Sequence, residues 1–292
     1  MHLWHAILLG LIQGLTEFLP VSSTAHLTLA EHLLLGRGMP LAFDVLLHVG
    51  TLLALCVYFR KELVQVFMGI LGKNAEGRKM AIWLFIAMIP TGILGLATKG
   101  IKETAKQHLW VYGIGLLVTA LMLFLANERS KNQKGREVDE LTAKDALAIG
   151  AIQGLGGGFG LSRSGSTISV GVFGGLKLPA STRFSFLLGI PTIAAAALVE
   201  ARGLVKPMLK HLPMPDEMQF PVGSINPMIA CVVGVLVAAV SGYFAIGLLD
   251  RFTRSPKLNG FAFYCLCMGL AMVILGTVGV DGFFYATTMQ HP

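Results

Sequence analysis

Residues 17–27 read EFLPVSSTAHL and interrupt an otherwise apolar run. A carboxylate, a proline, three hydroxyls and a histidine follow one another where a membrane span would need uninterrupted apolar residues. The surrounding segment, 3–34, is too long for one crossing and too broken in its middle. A span takes about 20 apolar residues. Pro20 ends a helix because it lacks an N–H and its ring clashes with the preceding turn. Ser22, Ser23 and Thr24 are residue types that start a helix. Segment 3–34 therefore reads as a re-entrant hairpin: a half-helix in, a turn at membrane depth, a half-helix back. Such irregular backbone is tolerated only where protein or a water-filled cavity surrounds it.

A second segment, 144–176, has the same character, interrupted by GLGGGFGLSRSGST (154–167). The two are related in sequence. AILLGLIQGLTEFLPVSS begins at Ala6 and ALAIGAIQGLGGGFGLSR at Ala146, so Gly10, Gln13, Gly14, Leu15 and Ser22 fall opposite Gly150, Gln153, Gly154, Leu155 and Ser162. Each copy leads into three apolar spans: 41–59, 80–98 and 109–126 after the first, 183–201, 227–248 and 260–280 after the second. The expectation is an all-α polytopic membrane protein of six spanning helices plus two re-entrant hairpins. Three spans separate the copies, so they have opposite topology, an arrangement of many transporters that places a site near the bilayer midplane. The first repeat covers 1–126, a cytoplasmic linker 127–143, and the second repeat 144–292. TAKD (142–145) reads as a capping box opening the second repeat.

Composition agrees. Of 292 residues 54% are hydrophobic and 13% charged, against about 25% charged in soluble domains. Of the 23 Lys and Arg, fifteen lie on the side of segments 60–79, 127–144 and 251–257. Seven lie opposite: Arg37, Lys99, Lys102, Lys106, Arg202, Lys206 and Lys210. The richer side is expected to be cytoplasmic, which puts both termini outside. The net charge of +7 follows from such loops. No basic stretch interleaved with aromatics suggests nucleic acid. Cys56, Cys231, Cys265 and Cys267 match no zinc or redox spacing and read as small buried side chains. The N-terminus carries His rather than Lys or Arg before its apolar run, so the segment is expected to stay in the mature protein.

The hairpins carry the chemistry. SRSGST (162–167) opens a half-helix, and helix N-termini attract anions. Arg163 adds a fixed charge whose fork fits phosphate oxygens. Ser22, Ser23 and Thr24 repeat the arrangement in the first hairpin, so two half-helix ends converge on one spot. A phosphate or diphosphate suits it better than a cation. Isolated hydroxyls in membrane helices also simply bond backbone carbonyls. Glu17 and Arg163 are intramembrane charges, functional by default, and they can also pair with each other. Gln13 shares a helix face with Glu17. Glu17 can hold a metal or tune a proton donor. Ser23 suits a nucleophile, and His26 its base or the leaving-group acid, or a hydrated cavity histidine. Asp44 and His48, four apart, suit either a supporting role or a hydrogen bond at the helix end.

QGLTEFLPVSSTAHL (13–27) and GLSRSGST (160–167) closely resemble the two signature stretches of the undecaprenyl-diphosphate phosphatase, or bacitracin-resistance, family, and the likeness extends over nearly the whole chain. The resemblance implies a membrane hydrolase. Such an enzyme removes the terminal phosphate of undecaprenyl diphosphate and so returns the monophosphate carrier lipid to peptidoglycan synthesis. It implies a divalent cation, Mg or Ca, and a site opening to the extracytoplasmic face of the cell membrane. By position, Glu17, Ser23, His26 and Arg163 match the family's essential polar set, with Glu17 as the metal candidate. Ser22, Thr24, Ser162, Ser164 and Thr167 match its phosphate-contacting hydroxyls, and Gln13 joins them as a diphosphate contact. Many relatives have glutamate where Gln13 stands and proline where Gly160 stands. The first departure removes a carboxylate, and the second is expected to loosen the turn. The implied partners are a polyprenyl diphosphate lipid and the bilayer, with a homodimer as the assembly considered. The competing reading is a transporter or flippase of phosphate or a polyprenyl phosphate lipid, and a third is a scaffold whose polar hairpins only knit the halves together.

Overall fold

A computed structural model describes residues 2–35, 38–105, 108–132, 134–156, 158–209 and 225–278. Arg37, Lys106, Lys210 and the last two residues of the 260–280 span lie outside these. The chain is helical nearly throughout: α1 (Leu3–Phe18), α2 (Ser23–Leu35), α3 (Leu41–Tyr58), α4 (Arg60–Ile70), α5 (Ala75–Ala97), α6 (Lys99–Ala105), α7 (Leu109–Asn132), α8 (Ala143–Gly156), α9 (Arg163–Phe173), α10 (Leu178–Leu209), α11 (Pro227–Thr253) and α12 (Asn259–Thr277). No strand occurs among the described residues. Helices α5, α7, α10, α11 and α12 are each long and apolar enough to cross a membrane, and α3 with α4 make a pair bent by 80°. Among the described residues the count reaches six if that pair is one span, in agreement with the six apolar segments of the sequence.

The burial pattern is that of a protein whose solvent is lipid. Phe85, Leu96 and Phe244 are about 70% exposed, while Gln13, Ser166, Thr167, Ser169 and Ser185 are completely buried. Without water in the hydrocarbon layer, polar groups must find partners inside the protein. The two broken segments each fold as two helices packed on one another, α1 with α2 and α8 with α9. The helix pairings exchange between halves: α1 lies along α11 and α8 along α5, while α7 pairs with its own counterpart α12 and α3 with α10. That is the pattern an internal repeat produces.

Small residues make these contacts close. A methyl added to Gly150 of α8 would stand 2.0 Å from the Ala87 carbonyl oxygen, and one on its repeat-mate Gly10 of α1 would stand 2.7 Å from the Gly234 carbonyl oxygen. The obstacle at Gly150 is backbone, which cannot rotate aside. Gly150→Ala is therefore expected to cost about 1–3 kcal/mol, seen as a lower melting temperature in detergent. Gly92, in α5, has no atom within 4 Å of such a methyl. Gly92→Ala should be neutral or slightly stabilising, because alanine favours helix.

Several ends differ from the sequence expectation. The linker begins later than residue 127, because α7 runs on to Asn132. Asn127 is buried there, and its side-chain oxygen accepts the Leu258 N–H that precedes α12 (2.8 Å). Lys131 and Glu128, three residues apart at 2.6 Å, extend the turn. Segment 60–79, read as a loop from its charges, contains α4. Its exposed Val64, Phe67, Ile70 and Leu71 follow helical spacing. TAKD forms the expected box: Asp145 N–H donates to Thr142 Oγ1 (3.3 Å) and Thr142 N–H to Asp145 Oδ2 (2.9 Å). Arg136 then grips both Asp145 oxygens at 2.9 Å, tying the linker to the second repeat. All four cysteines are free, with Cys265 buried, Cys56 and Cys231 half-buried, and Cys267 exposed rather than buried as expected. An apolar side chain facing lipid gains nothing by moving inward.

Candidate functional site: a buried ion pair between two broken helices

The first hairpin turns at Leu19–Ser22. Leu19 N–H closes the last turn of α1 on the Leu15 carbonyl at 3.2 Å, and Pro20 prevents continuation. Ser22 has φ +69°. That left-handed conformation is uncommon outside glycine and is retained mainly where function or packing holds it. Ser22 Oγ accepts the Ala25 N–H at 3.4 Å and so caps α2. The next residue, Ser23, projects its hydroxyl toward α1.

The second hairpin turns through Gly158 (φ +91°) and Gly160 (φ +76°). Proline cannot adopt that φ. A methyl on Gly160 would also lie 2.4 Å from Tyr112 Cα and O. Glycine here does more than permit the turn, since it lets the loop seat directly on the backbone of α7. Ser162 caps α9 by accepting the Gly165 N–H at 3.2 Å, and its own N–H donates to Thr119 Oγ1 at 3.0 Å. Arg163, the first residue of α9, is thereby aimed across at α1.

Glu17 is the meeting point. Arg163 Nη2 donates to Glu17 Oε1 at 3.0 Å. Ser23 Oγ donates to Glu17 Oε2 at 2.7 Å, and Gln13 Nε2 to the same oxygen at 3.2 Å. The Arg163 and Glu17 side chains are only 16% and 7% exposed. Arg163 Nε and Nη1 are buried with no hydrogen-bond partner, as is Gln13 Oε1. The site thus holds two spare cationic donors and one spare oxygen acceptor. Gly189 of α10 leaves room for the guanidinium, because a methyl there would stand 2.5 Å from Arg163 Nη1. His48 of α3 places Nδ1 3.5 Å from Asp44 Oδ1.

The structure therefore brings Gln13, Glu17, Ser23 and Arg163 together. Ser22 and Ser162 frame the cluster as caps, and Ser164 donates to the Leu19 carbonyl at 3.2 Å, joining the two hairpins. Three expected residues are not bonded into this cluster. Thr24 makes no hydrogen bond to the cluster. Thr167 donates to its own helix at the Arg163 carbonyl (2.7 Å) and meets Ser185 Oγ at 2.5 Å, so it faces α10. His26 places Nδ1 2.8 Å from the Ser22 carbonyl and Nε2 2.6 Å from the Tyr264 hydroxyl. The group within reach of the Ser23 proton is Glu17, not His26. Thr119, Gly189 and Tyr264 were not legible as site residues. They belong to distant spans, and nothing local in the sequence marks them.

Among the described residues no three His, Cys, Asp or Glu side chains gather to hold a metal ion. The donor set nevertheless suits a magnesium-like ion brought with a phosphorylated ligand. Such ions bind through one or two protein oxygens plus phosphate and water. Glu17 and the unpartnered Gln13 Oε1 are hard oxygens of this kind on one helix face.

These features define a polytopic membrane protein with a polar, anion-suited centre made by two broken helices of an internal repeat. Residues 6–271 match the family described as bacitracin resistance protein BacA, and the chain belongs to that family. It is 39% identical over 269 residues to an undecaprenyl-diphosphatase of Syntrophotalea carbinolica, covering 91% of this chain and 95% of that one. It is 38% identical to one of Desulfosudis oleivorans (92% and 97% covered) and 35% identical to one of Corynebacterium glutamicum (94% and 90%).

Proposed function

We infer that this protein is a membrane phosphatase that hydrolyses undecaprenyl diphosphate to undecaprenyl phosphate and inorganic phosphate. It would recycle the carrier lipid for cell-wall synthesis and confer bacitracin resistance. The observation that carries the reading is the Arg163–Glu17–Ser23 chain of contacts, with two arginine nitrogens, Nε and Nη1, left over for phosphate oxygens. The names of the relatives favour hydrolysis over transport.

The chemistry follows from the contacts. An incoming diphosphate competes with Glu17 for Arg163, because phosphate oxygens fit the guanidinium fork. Once released from the arginine, Glu17 is a stronger base and already accepts the Ser23 hydroxyl. Ser23 Oγ attacks the terminal phosphorus as its proton passes to Glu17 Oε2. The bond from that phosphorus to the bridging oxygen breaks, and undecaprenyl phosphate leaves. Water then hydrolyses the phosphoserine. In the direct alternative Ser23 and Glu17 orient a water that attacks the same phosphorus. Gln13 Oε1 and the Glu17 oxygen not facing Ser23 would hold a divalent cation together with the diphosphate, and that ion would supply charge neutralisation, which with positioning does most of phosphoryl transfer. Ser22, Ser162 and Ser164 hold the two helix ends around the phosphates. The polyprenyl tail stays in lipid, and the site opens to the extracytoplasmic side of the cell membrane.

The test is phosphate release by purified protein from undecaprenyl diphosphate, with and without EDTA. Release is expected, falling at least about 100-fold with chelator and returning with Mg or Ca. Full activity in EDTA would remove the cation from the proposal. Lipid flux across vesicles without hydrolysis would replace the phosphatase by a transporter.

A further inference from the structure

His26 is the one member of the expected polar set whose ring turns away from Glu17 and Ser23, and the reason lies in α12. A carbonyl oxygen only accepts hydrogen bonds. The 2.8 Å contact of His26 Nδ1 with the Ser22 carbonyl therefore puts the proton of the neutral ring on Nδ1. Nε2 is then bare and accepts the Tyr264 hydroxyl at 2.6 Å. The two rings are stacked, with centroids 5.6 Å apart and an interplanar angle of 13°. The neighbouring Cys265 Sγ donates to the Pro20 carbonyl at 3.2 Å. Adjacent residues of the last described helix thus hold both ends of the turn Pro20–Ser22, which places Ser23.

We propose that Tyr264 is a positioning residue for the hydrolytic site. It fixes the tautomer and orientation of His26, and His26 in turn clamps the carbonyl of Ser22, whose left-handed backbone sets the direction of the Ser23 hydroxyl. The chain of contacts runs Tyr264, His26, Ser22, Ser23, and it joins the end of the second repeat to the start of the first. Second-sphere partners commonly set histidine tautomers in this manner. Cys265 contributes to the same clamp by pinning Pro20. The inference rests on the phosphatase reading of Ser23, and its test separates the two.

Tyr264→Phe keeps the stacked ring and removes only the hydroxyl. With ¹⁵N-labelled histidine in nanodiscs, the wild-type His26 ring is expected as a single Nδ1–H tautomer. Tyr264→Phe should shift the Nε2 signal and mix the tautomers. In kinetics, Tyr264→Phe should lower kcat about tenfold, the size of one hydrogen bond, with KM unchanged within about twofold. In a His26→Ala background the same substitution should have no further effect, because the clamp is already gone. Identical His26 signals in wild type and Tyr264→Phe would overturn the contact. A shifted signal with unchanged kcat would overturn its role in the reaction, as would additive losses in the double variant. Absence of phosphate release by the wild type would instead defeat the phosphatase reading, and the spectroscopic arm would still report on the clamp.

Discussion

Arg163→Ala is expected to abolish phosphate release, by at least about 10³-fold, and to destabilise the protein as well. The two losses have separate causes. Activity falls because the substitution removes the only Lys or Arg deep in either hairpin, along with the two unpartnered nitrogens proposed to hold the phosphate. Removing even one transition-state donor costs about 10²–10³-fold. Stability falls because Glu17, 8% exposed, is left as a buried charge. Breaking such a pair from one side costs about 3–5 kcal/mol. The double variant Arg163→Ala with Glu17→Gln separates them. The amide keeps its bonds to Ser23 and Gln13 without a charge, so the melting temperature should recover while activity stays absent. Arg163→Lys keeps the charge but loses the planar fork, and should fold normally with activity reduced about 100-fold. Melting temperatures in detergent and phosphate release on the four proteins check all of this. If the double variant recovers both fold and activity, the ion pair is structural, as in the scaffold reading, and the phosphate lies elsewhere.

The parts of this site legible in the sequence were those written in local chemistry. Pro20, the serines and the glycine-rich loop are start and stop signals, so both hairpins could be placed within a few residues. Arg163 and Glu17 stood out because a charge inside a membrane is costly, and their pairing was one of the outcomes that cost made available. The repeat at Gly10, Gln13 and Gly14 was legible as well, but not the exchange of helix pairings between the halves. What stayed hidden is directional. A span apolar on every side gives no stripe to show which face meets which neighbour. That is why Tyr264, 238 residues from His26, could not be found, nor Thr119 beneath Ser162, nor Gly189 beside Arg163. His26 shows the same limit from the other side: its spacing from Ser23 placed both on one helix face, but the ring is drawn off by a partner on α12. Helix α4 was missed because its Arg60, Lys61 and Glu62 outweighed the apolar positions behind them when read as a loop.

Ser23→Ala carries the other large effect, and it decides between two routes to the same product. Ser23 Oγ is 2.7 Å from Glu17 Oε2, a short bond to a carboxylate that is otherwise occupied by Arg163 and Gln13. Removing the hydroxyl leaves Glu17 with both of those partners, so the fold should lose no more than about 1.5–3 kcal/mol, the worth of a bond to a charged group. Phosphate release should fall at least about 10³-fold if Ser23 is the nucleophile. Glu17→Gln should cost about 10²–10⁴-fold, the range of a general base. Residues that act as a unit are not additive, so Ser23→Ala with Glu17→Gln should be no slower than the slower single variant. Rapid quench with diphosphate labelled at the terminal phosphorus adds the chemical distinction. A serine nucleophile predicts transient label on the wild-type protein at Ser23, lost in Ser23→Ala. Water attack predicts no labelled protein at any time and a smaller loss in Ser23→Ala, because a positioned water can be held by Glu17 alone. A Ser23→Ala protein that folds and releases phosphate at the wild-type rate would remove Ser23 from the reaction. The clamp from Tyr264 would then be organising a turn rather than a nucleophile.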